Sequence, residues 1–128
     1  MNLLAIETST DACSVALLSD SNILVDHRIA AQQHGSLVIP MIDAIMAEAQ
    51  LRPTQLDGVV FGRGPGSFTG VRIGVALAQG IALGADIGVV GISTLHSVAQ
   101  GAFRVHGEQK VAVCLDAVGV LAMLPPAL

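Results

Sequence analysis

The chain has 128 residues, enough for one domain. It is 52% apolar and 12% charged, with no Trp or Tyr and only three Phe, so its core must be built from aliphatic side chains. A net charge of −4, with five Arg and one Lys scattered and forming no stripe, argues against direct binding of nucleic acid by this chain.

In chain order, "LLAIETS" reads as a buried strand that ends in turn residues at Thr8–Asp11. "CSVALLS" and "ILVDHRIA" follow as strands separated by "SDSN", which makes an antiparallel meander. The period then changes. In "SLVIPMIDAIMAEAQL", Leu37, Met41 and Ile45 recur at i, i+4 with Val38, Ile42 and Ala49 beside them, the apolar face of a helix with Ser36 as N-cap and Pro40 tolerated near its start. "GVVFGRG" is a fourth strand, apolar enough to be buried on both faces. A helix is predicted from Thr69 to Leu83, a fifth strand over "DIGVVGIS", a third helix over "TLHSVAQGAF" and a further strand over "QKVAVCLDA". The order β-β-β-α-β-α-β-α-β implies an α/β fold with a mixed sheet and helices on its faces.

Membrane insertion is not expected. Met1 leads straight into a strand without a basic leader. "VALAQGIALGADIGVVGI" carries Gln79 and Asp86 and divides at "GAD" into two runs, each shorter than the ~20 residues of a span. Cys13 and Cys114 lie far apart in strand-like runs, as reduced core cysteines of a cytoplasmic protein would.

The stretch "GRGPGSFTGVRIG" stands between a strand and a helix, where phosphate cradles occur. It is not a P-loop, because no Lys follows, nor a dinucleotide fingerprint, because the third glycine falls one place late at Gly70. Gly64, Gly66, Ser67, Thr69 and Arg72 still form a candidate anion loop, with Ser67 or Thr69 capping the helix. Arg72 lies in the first turn, against the macrodipole, which makes sense if it meets a carboxylate or a phosphate. The alternative is a tight turn with Arg72 paired to a nearby Asp. Glu7, Ser9 and Thr10, at the bend of "ETSTDACSVAL", are placed as sugar kinases, actin and Hsp70 place their phosphate contacts, although spacing alone favours an ordinary hairpin.

The second helix has small residues at Ala76, Gly80 and Gly84, four apart, with Gly74 and Ala78 adjacent. Glycine within a helix costs about 1 kcal/mol relative to alanine, so another backbone is expected to pack there, from within the domain or from a partner helix. His27, His34, His96 and His106 lack metal-ligand spacing, and nothing resembles G-x-S-x-G, so no catalytic and no metal-binding residues are assigned.

"LLAIETSTDACSVALL", "GRGPGSFTGVRIG" and "GISTLHSVA" together resemble the bacterial tRNA threonylcarbamoyladenosine biosynthesis family TsaB, also called YeaZ. The similarity runs in order from Met1 to about Ala117, and "GPGSFTG-x-RIG" is a specific signature. The resemblance implies an actin-like/Hsp70-like lobe of RNase H-like topology and a non-catalytic partner role. The family binds a TsaD-like catalytic subunit, acts with a TsaE-like ATPase, touches tRNA only indirectly, and forms homodimers through the first two helices. The interface residues so implied are Leu37, Val38, Met41, Ile42, Ile45, Ile73, Ala76, Leu77, Gly80 and Gly84. No cofactor is expected beyond weak nucleotide binding by a complete two-lobed protein. His96 has Gln100 where the TsaD pattern has a second His, so metal catalysis is not expected. A nucleotide-binding ATPase-like lobe or a glycoprotease-like metallohydrolase is the alternative reading.

The end departs from the family, which continues with a second lobe. Residues 1–117 are read as the N-terminal lobe and 118–128 as an apolar tail foreign to it. Codons for Glu-Val-Tyr-Trp read two bases later give Gly-Val-Leu and a codon starting with G, matching "GVLA" at 119–122, so a frame shift is the expected origin of the tail.

Overall fold

The computed structural model describes residues 1–107 and 110 and the strand backbones of 113–117 and 120–124. Three strands, β1 (Asn2–Glu7), β2 (Ala12–Ser19) and β3 (Asn22–Ile29), form the expected meander. Helix α1 (His34–Ala49) and a 3-10 turn (Pro53–Gln55) lead to β4 (Gly58–Gly62), and α2 (Phe68–Ala85) leads to β5 (Gly88–Ile92). The sheet order is β3-β2-β1-β4-β5. β1, β4 and β5 run parallel, and β2 is antiparallel to both of its neighbours. This is the α/β fold with a mixed sheet that the element order implied.

Alternation along the strands decides which face is buried. Leu4, Ile6, Cys13, Val15, Leu17 and Val59 point to one face and meet Val38, Met41, Ile45, Ala78 and Ala82 of α1 and α2. Each large aliphatic side chain fully buried there contributes about 1.5–3 kcal/mol. Burial pushes the Cys13 thiol above its ordinary value, with the charge of Arg28 opposing the shift. On the other face the register aligns Val25, Ala16, Ala5, Val60 and Val90 in one row across all five strands. Val25 is 65% and Val90 55% exposed. The expected burial of β4 on both faces therefore holds for Val59 and not for Val60, which is half-buried.

Helix α3 (Thr94–His106) buries Leu95 and Ala99. The last expected strand, β6 (Val113–Ala117), does not continue the parallel series. It pairs antiparallel with β7 (Val120–Leu124) in a separate two-stranded sheet. The tail reading falls partly on residues 118–119 and 125–128, outside the described residues.

One helix start differs from the expectation. Helix α1 begins at His34, and Ser36 is no cap: its hydroxyl donates back to the Gln33 carbonyl. Pro40 lies inside this helix, which runs on through it to Ala49. In α2 the Ser67 Oγ accepts from the Gly70 N–H, as expected of an N-cap. At 18 residues, α2 is long and apolar enough by composition to cross a membrane. Its inner face, Gly70, Gly74, Ala78 and Ala82, is buried within the lobe.

Candidate functional site

The glycine loop closes on the β1–β2 turn. The Ser67 N–H donates to the Ser9 carbonyl at 2.7 Å. The Thr8 hydroxyl donates to the Gly70 carbonyl. A Cβ on Gly66 would lie 2.7 Å from the Ser9 Cβ, and one on Gly74 would lie 2.8 Å from the Thr8 hydroxyl oxygen. A Cβ on Gly70 would run into the Thr8 carbonyl. Glycine is thus required at these positions for a close approach of helix to strand end. Gly64 has a further reason, a φ of 90°, and is followed by a cis peptide to Pro65.

Glu7, Ser9 and Thr10 do come together with this loop, but they are engaged locally. Glu7 Oε1 accepts from the Ser9 N–H at 2.8 Å and from the Ser9 hydroxyl. Ser9 Oγ also lies 3.0 Å from Thr94 Oγ1 at the start of α3, and the Thr94 N–H donates to the Gly64 carbonyl. Thr10 Oγ1 accepts from Ala12 N–H at 3.3 Å, closing a side-chain turn. Three segments are clamped into one node by these bonds. Two N–H groups of the candidate anion loop, those of Ser67 and Gly70, already have protein acceptors.

Thr69 is exposed on the first turn of α2. Arg72 meets no Asp among the described residues. Its guanidinium carbon sits 3.7 Å from the centroid of the Phe68 ring instead. An i, i+4 aromatic–Arg spacing at a helix start was the signal available for this stack. Thr8 and Thr94 were also missed. Thr8 lies in the same "ETST" string as Glu7 and Ser9, but only the fold shows that it fills the glycine row.

The histidines stand apart from one another. His27 Nδ1 is 2.5 Å from Ser14 Oγ, His34 Nε2 bonds the Ala12 carbonyl at 3.0 Å, and His96 and His106 are exposed on α3. Among the described residues, no three His, Cys, Asp or Glu side chains are grouped as metal ligands.

The implied interface residues fall into three groups. Val38, Met41 and Ile45 are buried in the lobe core, because this stripe of α1 covers the sheet, whereas Ile42, though also buried, lines the groove between the helices. Leu37, Ile73 and Leu77 are half-buried at the edge of that core. The remaining three face outward. Ala76, Gly80 and Gly84 are exposed, and a Cβ at Gly80 or Gly84 would meet no atom of the described residues within 4 Å. Leu83, 85% exposed, and Ile39 of α1, 51% exposed, extend this face. Between the two helices runs an apolar groove of about 470 Å³, lined by Ile39, Met46, Leu77 and Ile81 with Asp43 and Arg52 also on its walls.

Comparison with known proteins places this geometry. A family model for TsaD, tRNA N6-adenosine threonylcarbamoyltransferase, matches residues 25–119. The tRNA threonylcarbamoyladenosine biosynthesis protein TsaB of Escherichia coli is 44% identical over 117 residues, 91% of this chain and 51% of the relative. That of Haemophilus influenzae is 48% identical over 117 residues, 91% of this chain and 50% of the relative. The chain thus spans about half the length of these curated relatives. The solved structure of YeaZ from Pseudomonas aeruginosa superposes with a TM-score of 0.89 at 36% identity, over 98% of this chain and 68% of its own. On this sequence match and this superposition, the chain belongs to the TsaB/YeaZ group of the TsaD family.

Proposed function

We propose that the chain is a non-catalytic scaffold in the formation of threonylcarbamoyladenosine on tRNA, and that it docks a TsaD-like catalytic subunit through the outward face of α1 and α2. A TsaE-like ATPase completes the assembly, tRNA is held by the partner, and a second copy of the chain competes for the same face. The observation that carries this reading is the exposed small-residue face of α2 beside an apolar groove. Each glycine in a helix costs about 1 kcal/mol relative to alanine. Among the described residues nothing lies within 4 Å of a Cβ at Gly80 or Gly84, so packing within the described lobe does not account for them. A helix from another chain can approach to backbone contact there, with aliphatic side chains entering the groove.

The test is sedimentation of the chain with a TsaD-like subunit. The wild-type chain should form a complex, and Gly80→Trp, which fills the close-approach surface, should abolish it without lowering the urea midpoint. Association untouched by Gly80→Trp would refute the proposed face.

A further inference from the structure

The outward face of α2 carries a single charge, at its N-terminal end, and one other long polar side chain, Gln79. Arg72 is the only charged residue between Phe68 and Ala85. At 100° per residue it shares its face with Ala76, Gly80 and Leu83. Its guanidinium lies over Phe68, a side chain left 66% exposed. The stack fixes the plane of the guanidinium and dries one side of it, while the N–H fork at its edge stays available. Among the described residues, the ion pairs are Met1–Asp20 and Arg28–Asp26, and Arg72 takes part in neither. The first turn of α2 contains no acidic residue, and a cation at this end of a helix is opposed by the macrodipole. Apart from the Phe68 ring, no group among the described residues compensates this charge.

Resting on the docking face proposed above, we infer that Arg72, held flat by Phe68, is the specificity-determining charge of that face, and that the protein partner presents an Asp or Glu carboxylate to it. A planar fork with an open edge suits a carboxylate in bidentate geometry. A protein carboxylate fits better than a nucleic-acid phosphate, because phosphate recognition draws on several cations and this helix face has one.

The experiment is titration of a TsaD-like subunit with wild-type, Arg72→Gln, Arg72→Glu and Phe68→Ala chains, each checked by urea unfolding. Affinity should fall about tenfold for Arg72→Gln and about a hundredfold for Arg72→Glu, with Phe68→Ala also weakened. Raising ionic strength from about 0.05 to about 0.3 M should weaken the wild-type complex and leave the Arg72→Gln complex nearly unchanged. Wild-type affinity retained by Arg72→Glu overturns the inference while leaving the docking face standing. Unchanged subunit binding with loss of tRNA binding overturns it in favour of a phosphate contact. A wild-type chain that does not bind the subunit overturns the docking face and this inference together.

Discussion

Changing Gly70 to Ala and changing Gly80 to Ala add the same methyl group to the same helix, and their effects should have opposite signs. At Gly80 the new Cβ has open space, and the exchange should stabilise the chain by up to about 1 kcal/mol through helix propensity alone. At Gly70 the Cβ meets the Thr8 carbonyl, with the Thr8 carbonyl carbon only 3.2 Å away. Helix α2 must then withdraw from the end of β1, at an overpacking cost of about 1–3 kcal/mol. Withdrawal also breaks the buried bond from the Thr8 hydroxyl to the Gly70 carbonyl, which leaves a buried polar group unpaired at about 1–3 kcal/mol. Less a propensity gain of up to about 1 kcal/mol, the net loss centres near 3 kcal/mol. With a urea m-value of about 1.5–2 kcal/mol/M, the midpoint should drop by about 1.5–2 M. The chain has no Trp or Tyr, so far-UV circular dichroism is the appropriate probe. If Gly70→Ala unfolds at the wild-type midpoint, the close approach of the loop to Thr8 is wrong, and the glycines need another explanation.

The two faces of α1 should separate in the same assay. Met41→Ala, in the core, should lose about 2–5 kcal/mol, whereas Ile39→Ala, on the surface, should stay within about 0.5 kcal/mol of wild type. Equal effects would contradict the inward placement of the Met41 stripe. Cys13 predicts a pH dependence. Its folded value is raised by burial, so the stability it contributes is intact below the unfolded thiol's value and is lost as pH rises through the folded one. The urea midpoint should therefore fall on the alkaline side in the wild type and fall less steeply in Cys13→Ala; parallel slopes would contradict the burial.

Much of the fold was legible because the strands announce themselves. Apolar runs such as "LLAIE" and "CSVALL" end at Thr, Ser, Asp or Asn, and a meander followed by alternating helices leaves few arrangements of the sheet. The Ser67 cap was legible for the same reason, since its chemistry is local. Less legible was the direction each apolar face takes. Periodicity shows that Val38, Met41 and Ile45 share a side of α1, but not whether a sheet of the same chain or another molecule covers it. The glycine loop was ambiguous for a related reason. A cradle for an anion and a close approach to another strand both call for glycine, and Thr8, sixty-two residues before Gly70, decides between them only in space. Arg72 shows the reverse case. Its adverse place near the start of the helix was visible in the sequence, while its contact with Phe68 needed the folded helix.

The most direct measurement is a hydrogen-exchange footprint of the chain with and without a TsaD-like subunit. The account predicts added protection along α2 from Arg72 to Gly84 and along the exposed side of α1 near Ile39 and Asp43, with β3 and β5 unchanged. Protection confined to β3 and β5, or none anywhere, would contradict it.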